Sequence, residues 1–218
     1  MKKLSLFIIA VQLAMLFCFI LPSFNVKSNT ISLQYSLSEL IVFSLLIVFC
    51  YCFTKSFSPL KSYTLPPVEY VKLLLLAVFA LAVPVFVIKK FFPQLYKIPV
   101  IITPQTTLQK VLFAVSVIIA AAFEEVLYRY FLPESVLYLT GKINISKPAA
   151  KNAVRCIAET AVTVLFAAQH AYLGPAGIIN AFSAGAAFRL ITVRTGSPLF
   201  SLILHCLNNF LSFKTYTC

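Results

Sequence analysis

Charge is what this 218-residue sequence has least of: charged residues make up 11% of it, where a soluble domain carries about 25%. Together with 61% hydrophobic residues and a mean hydropathy of +0.94, that shortage excludes a water-soluble globular domain. Acids are scarcer than bases. There are six, all of them glutamate, against 18 lysines and arginines, and there are only two histidines. No His-Glu-x-x-His helix is present, which excludes the metalloprotease arrangement in which one helix supplies ligands and base together. No repeat, linker or low-complexity segment divides the chain, so one membrane domain is expected, with spans alone in residues 1–107 and the polar motifs in 108–213.

What the sequence has in quantity is apolar runs close to the roughly 20 residues that cross the hydrocarbon as a helix. They fall at about 4 to 22, 38 to 54, 70 to 88, 108 to 128, 152 to 170, 175 to 193 and 197 to 213. They do not alternate, which excludes a strand barrel. The fold expected is an all-α, polytopic transmembrane helix bundle of about seven spans with a polar cavity inside the membrane. Pro84 falls within the third run and predicts a kink that neighbouring helices can tolerate, and Phe131 to Thr140 reads as a short helix lying on the bundle near the interface. The first run follows Met1-Lys2-Lys3 and imitates a signal peptide, but it is too long and no small-x-small cleavage site follows it. An uncleaved first span is the expectation.

The net charge of +12 comes from bases scattered through short loops. Dispersed lysines read as topology determinants and contacts to anionic lipid, not as a nucleic-acid face, so membrane lipids are expected partners and nucleic acid is not. Five of the six cysteines lie in apolar stretches, where a free thiol behaves as a small hydrophobe, and no disulfide framework is expected. Cys50-Tyr51-Cys52 lacks anything nearby to complete a metal site.

The chemistry concentrates in three places: Glu124-Glu125-Val126-Leu127-Tyr128-Arg129, Phe166-Ala167-Ala168-Gln169-His170 and His205-Cys206-Leu207-Asn208-Asn209. An ionisable side chain at membrane depth costs about 3 kcal/mol or more unless it is paired or faces a wet cavity, so such residues mark function. Consecutive helical residues point about 100° apart. Glu124 and Glu125 are therefore expected to face different neighbourhoods, with Arg129 pairing Glu125 at i+4 and Glu124 left without a local cation. The same divergence argues against Cys206 as a nucleophile activated by His205. His205 and Asn209 share one helix face and are expected to look into the bundle. In the sixth span Gly177, Ala181 and Gly185 form a small-residue seam that would hold this helix tightly to its neighbours. Together the motifs supply a carboxylate to take a proton from water and imidazole and amide groups to steady an oxyanion.

Glu-Glu-x-x-x-Arg, Phe-x-x-x-His and His-x-x-x-Asn, in this order and at these separations, resemble the three motifs of the CAAX protease and bacteriocin-processing family of intramembrane endopeptidases, also called Abi. Arg194-Thr195-Gly196-Ser197-Pro198 is similar to that family's approach to its last motif. The resemblance covers about residues 108 to 213. It implies that Glu124 activates water, that His170 binds it, that His205 and Asn209 donate to the oxyanion, and that Glu125 and Arg129 support the site. It also implies hydrolysis of a membrane-associated or prenylated peptide by a multi-pass protein of the cell membrane. Tyr128 stands where the family often has Phe, a departure that touches no catalytic position.

Zinc held by Glu124, His170 and His205 is an alternative to a metal-free site. The metal-free reading is favoured, because a ligating Glu124 would leave only Glu125 as the base, and Glu125 is the residue that Arg129 pairs. Two other classes compete with an enzyme. A non-catalytic scaffold or bacteriocin-immunity factor would use the same cavity without needing Glu124, His170 and His205 all intact. A proton-coupled transporter would use the same buried groups as a relay, but the small number of spans and the missing internal repeat disfavour it.

Overall fold

Helix starts in this chain are set by side chains that satisfy N–H groups the helix itself leaves unpaired. Ser36 accepts from the Glu39 amide at 3.3 Å while the Ser36 amide donates to Glu39 Oε2 at 2.7 Å, a reciprocal pair that opens the second helix. Thr106 and Gln109 repeat the device, at 3.2 Å and 3.0 Å, where the fourth helix begins. In the computed structural model the described residues are 2–15, 30–31, 36–58, 60–61, 63–95, 100–101, 104–142 and 148–216. Among them α1 spans Lys2–Met15, α2 Leu37–Lys55, α3 Pro67–Phe91, α4 Thr107–Glu124, α5 Leu132–Thr140, α6 Pro148–Gln169, α7 Gly174–Thr195 and α8 Leu199–Tyr216. Two-residue strands, Thr30–Ile31 and Val100–Ile101, pair in parallel, a small feature that the apolar pattern did not announce.

The protein is an all-α membrane bundle, with a helix at each predicted run. Leu37–Lys55, Pro67–Phe91, Thr107–Thr140 and Ala171–Thr195 are long and apolar enough to cross a membrane, while Leu4–Met15 and Leu199–Ser212 are apolar but shorter. The first predicted run extended to residue 22, and its second part lies outside the described residues. Helix α6 begins with polar turns that carry Lys151, Arg155 and Glu159.

Helix α7 is the central element. Half of its apolar window is buried, against 17% for α2 and α3, and it packs between α3 and α6. On one side Ala181 joins Val126, Leu127, Phe131, Val162 and Phe166 in a core cluster. On the other, Ala184, Phe188 and Ile191 meet Leu73, Ala77 and Leu204. The small-residue seam permits this closeness. A Cβ on Gly185 would stand 3.2 Å from Phe166 Cδ1 and 3.3 Å from Thr163 Cγ2. One on Gly177 would overlap the Leu173 side chain and lie 3.1 Å from the His170 carbonyl oxygen. The chain enters α7 at Gly174 (φ 77°) before Pro175 and leaves it at Gly196 (φ 68°), left-handed positions suited to glycine.

The segment Phe131 to Thr140 departs from expectation. It does not lie on the bundle: α5 continues directly from α4 through a π-helical stretch, Glu125–Phe131, and Leu132, Pro133, Glu134 and Ser135 are buried. Proline gives the physical reason for the irregular winding. Pro133 has no N–H and its ring crowds the carbonyl four residues earlier, that of Arg129, so a regular α-helical ladder cannot pass through this point. All seven residues of the π stretch are buried, which places the first motif in the middle of the bundle.

Because the contacts at Gly185 are already tight, Gly185→Val overpacks the seam between α6 and α7. Its expected cost is about 1–3 kcal/mol, measurable as a lowered thermal midpoint of the detergent-solubilised protein.

Candidate active site

Glu125 opens the π stretch and is fully buried. Its Oε1 lies 2.8 Å from Nδ1 of His205, which projects from α8. A carboxylate accepts, so Nδ1 carries a proton, and Nε2 is turned outward. Toward that nitrogen stands Glu124, whose Oε2 is 3.7 Å away and whose side chain is 30% exposed. The two glutamates therefore do not face separate neighbourhoods, as successive helical positions led us to expect: they approach the two nitrogens of one imidazole. Two features make this possible. Widening of the helix from Glu125 onward reduces the angle between successive side chains, and the imidazole presents a nitrogen on either side of its ring.

Arg129 does pair with Glu125, with Nε 3.7 Å from Oε1. That separation is an ion pair without a hydrogen bond. The guanidinium carbon instead lies over the ring of Phe166, 3.6 Å from its centroid, where a desolvated cation gains about 2 kcal/mol. Glu125 Oε2 and Arg129 Nε, Nη1 and Nη2 are buried without a hydrogen-bond partner among the described residues. Such a cluster of unmet donors and one unmet acceptor is polar enough to hold ordered water.

His170 follows the last residue of α6, in the turn before Ala171–Leu173. Its Nδ1 donates to the Phe166 carbonyl oxygen at 3.0 Å, and its ring packs 4.6 Å from that of Phe166. It lies within electrostatic reach of Glu124 and His205. Both histidines thus share one design: Nδ1 is held inside the protein and Nε2 is left available. Asn209 sits one turn beyond His205 on α8, half-buried, and makes no hydrogen bond to any described residue. The structure therefore brings Glu124, Glu125, Arg129, His170 and His205 together and leaves Asn209 beside them without a direct link. Tyr128 has a definite place: its hydroxyl donates to Gln169 Oε1, joining the first motif to the residue before His170.

The donor chemistry at the site, two imidazole Nε2 atoms and the Glu124 carboxylate, is of the kind that holds zinc, with carbonyl and carboxylate partners orienting the rings. In geometry, no group of three His, Cys, Asp or Glu side chains among the described residues stands ready to hold a metal ion.

Three functional-site neighbours were not singled out from sequence. Arg189, on α7, donates from Nε and Nη2 to the two Glu159 oxygens at 2.6 Å each, and from Nη2 to Glu134 Oε1 at 2.8 Å. Its Nη1 reaches the Arg129 carbonyl oxygen at 2.8 Å. The available signal was an arginine and two glutamates inside otherwise apolar helices, the same signal that drew attention to the first motif.

The bundle and its glutamate–imidazole site define a helical membrane protein with ionisable side chains gathered between its helices. Residues 106–211 match the family described as type II CAAX prenyl endopeptidase Rce1-like, and the match takes in all three polar motifs. That similarity supports a CAAX-type membrane endopeptidase in general terms. No curated protein and no solved structure matches the chain.

Glu125 and Tyr128 give contrasting expectations. Glu125→Gln leaves the buried Arg129 without its counter-charge and should cost about 3–5 kcal/mol. Tyr128→Phe removes one neutral hydrogen bond and should cost about 1 kcal/mol. Thermal midpoints of the two variants, purified side by side, check the difference.

Proposed function

We propose that the protein is an intramembrane endopeptidase in which Glu124 activates water against a peptide bond near the end of a membrane-associated or lipid-modified substrate. The observation that carries this reading is the placement of Glu124. It is the one carboxylate of the pair that reaches open space, and it lies 3.7 Å from a histidine nitrogen, too far for a direct bond and close enough for one water to touch both. Glu125, fully buried and bound to His205, is committed elsewhere.

In this reading Glu124 takes a proton from the bound water as the oxygen attacks the carbonyl carbon. His170, with Nδ1 donating to Phe166, offers Nε2 as an acceptor that helps hold the water. A C–O bond forms and the carbonyl oxygen becomes an oxyanion. His205, protonated on both nitrogens, donates Nδ1–H to Glu125 and Nε2–H to the oxyanion, and the Asn209 amide is the second donor. On collapse the C–N bond breaks, and Glu124 returns its proton to the departing amine. Glu125 and Arg129 fix the imidazole and carry the charge that balances it. The substrate is drawn from the bilayer, the protein acts as a multi-pass protein of the cell membrane, and no obligatory metal is invoked. A ligating Glu124 would require Glu125 as base, and its contacts to His205 and Arg129 oppose that exchange.

Glu124→Ala at matched abundance should lower turnover by about 10²–10⁴-fold, the usual contribution of a general base. The test compares peptide termini from membranes carrying the intact or the variant protein. Termini that disappear in the variant identify a protease and its substrates; identical termini would reject catalysis and leave a binding role.

Metal dependence is tested separately on the purified protein. Turnover should survive prolonged treatment with a strong zinc chelator. Loss of activity that zinc restores would replace the metal-free mechanism with one in which Glu124, His170 and His205 bind the ion.

A further inference from the structure

We propose that Arg189 is a positioning residue for the Glu124–Glu125 pair, acting by holding the π-helical backbone that aims both carboxylates at His205. The proposal rests on the protease reading for its kinetic consequences, but its geometry is independent of it.

A backbone carbonyl bonded across helices is the starting observation. Arg129 lies near the end of the π stretch, which closes at Phe131 before the α-helix resumes. Its buried carbonyl oxygen accepts from Nη1 of Arg189 at 2.8 Å, from a different helix. The π stretch on which Glu125 and Arg129 both sit is thereby tied at its C-terminal part to the central helix α7.

Arg189 can serve in this way only if its charge is matched. It is 5% exposed, and the structure surrounds it with two carboxylates. Glu159 on α6 takes two of its N–H groups and Glu134 on α5 takes one. Glu134 is held in turn by the Ser58 hydroxyl, 2.8 Å from Oε2, at the end of the turn that follows α2. One guanidinium thus joins α5, α6, α7 and the π stretch, with α2 linked through Ser58. Beside it lies a cavity of about 320 Å³ between α6 and α7, lined by Arg155, Glu159, Thr160, Phe182 and Arg189 among others; neither Glu124 nor either histidine lines it. Arg189 therefore acts through the backbone and not by touching substrate.

The planar fork matters. A lysine would retain the charge as a single point and could not serve Glu159, Glu134 and the Arg129 carbonyl together. A shift of about 1 Å in a catalytic group can cost about 10²-fold in rate, so loosening the π stretch should show in kcat while substrate binding persists.

The test uses two variants of the full chain. Glu134→Gln/Glu159→Gln/Arg189→Met removes the whole ion cluster without leaving a buried charge unpaired, and Arg189→Lys keeps the charge balance if the triple variant does not fold. Folding is verified by thermal midpoint. The expected result is a fall in kcat of about 10-fold or more with KM within about 2-fold. Imidazole nitrogen resonances give a second readout without substrate. With two histidines in the chain, the His205 signals are assigned by removing the other residue with His170→Ala. The His205 Nδ1–H proton should lose the downfield position of a strong bond to a carboxylate. A folded variant with unchanged kcat and an unchanged His205 signal overturns the proposal. If the intact protein cleaves no peptide, the protease reading fails, and the His205 signal alone decides the positioning role: altered supports it, unchanged overturns it.

Discussion

A carboxylate with no exposure inside an apolar bundle must be held by charge, and Glu125 is held from two directions. His205 binds it at 2.8 Å from α8, and Arg129 stands 3.7 Å away on its own helix. Stripping water from each such ion costs several kcal/mol, which the pairing repays only when the geometry is fixed. The last helix is consequently docked against the first motif by a bond that cannot slip without exposing a bare charge. That constraint also sets the orientation of the imidazole, and with it the direction in which Nε2 meets Glu124. The same residue that stabilises the docking therefore decides which way the free side of the imidazole faces.

Two ionic clusters, each crossing between helices, flank the π stretch. Glu125, Arg129 and His205 bind its beginning; Arg189, Glu134 and Glu159 bind its end. Buried ion pairs are weak contributors to net stability compared with apolar residues of the same volume, so their presence in a bundle with ample apolar surface calls for another reason. The π stretch supplies one. A widened helix turn has poorer backbone geometry than the α-helix it interrupts, and without lateral ties it would relax. Phe166 contributes to both parts: its ring carries the Arg129 guanidinium, and its carbonyl fixes His170. Gly185 has to be small for that ring to sit where it does.

How much of this was legible in the sequence follows from how far apart the partners lie. Apolar runs announce helices because the signal is contiguous, and each predicted run contains one. Glu124, Glu125 and Arg129 were readable because they fall within six residues, and the His205 face because helical periodicity is local. The Arg189 cluster was harder to read: its charges are visible one by one, but its partners are 30 and 55 residues away and nothing local joins them. The divergence expected of Glu124 and Glu125 assumed an ideal helix. Pro133 stands in the sequence, but how the chain winds before it is decided by the packing that buries Glu125–Phe131.

Asn209 stands apart from both ionic clusters. It is half-buried one turn beyond His205 and bonded to no described residue. A half-buried amide keeps donors and an acceptor that the surrounding helices leave open. Glu124 is in a similar condition, partly exposed and separated from His205 Nε2 by the width of one bridging atom. Glu124 approaches His205 from the side away from Glu125, at Nε2 where Glu125 holds Nδ1. The Nδ1 side of the imidazole is thus satisfied by a buried carboxylate, and the Nε2 side faces a partly exposed one. In the protease reading proposed above, that open side is where a peptide carbonyl and a water would find their polar partners.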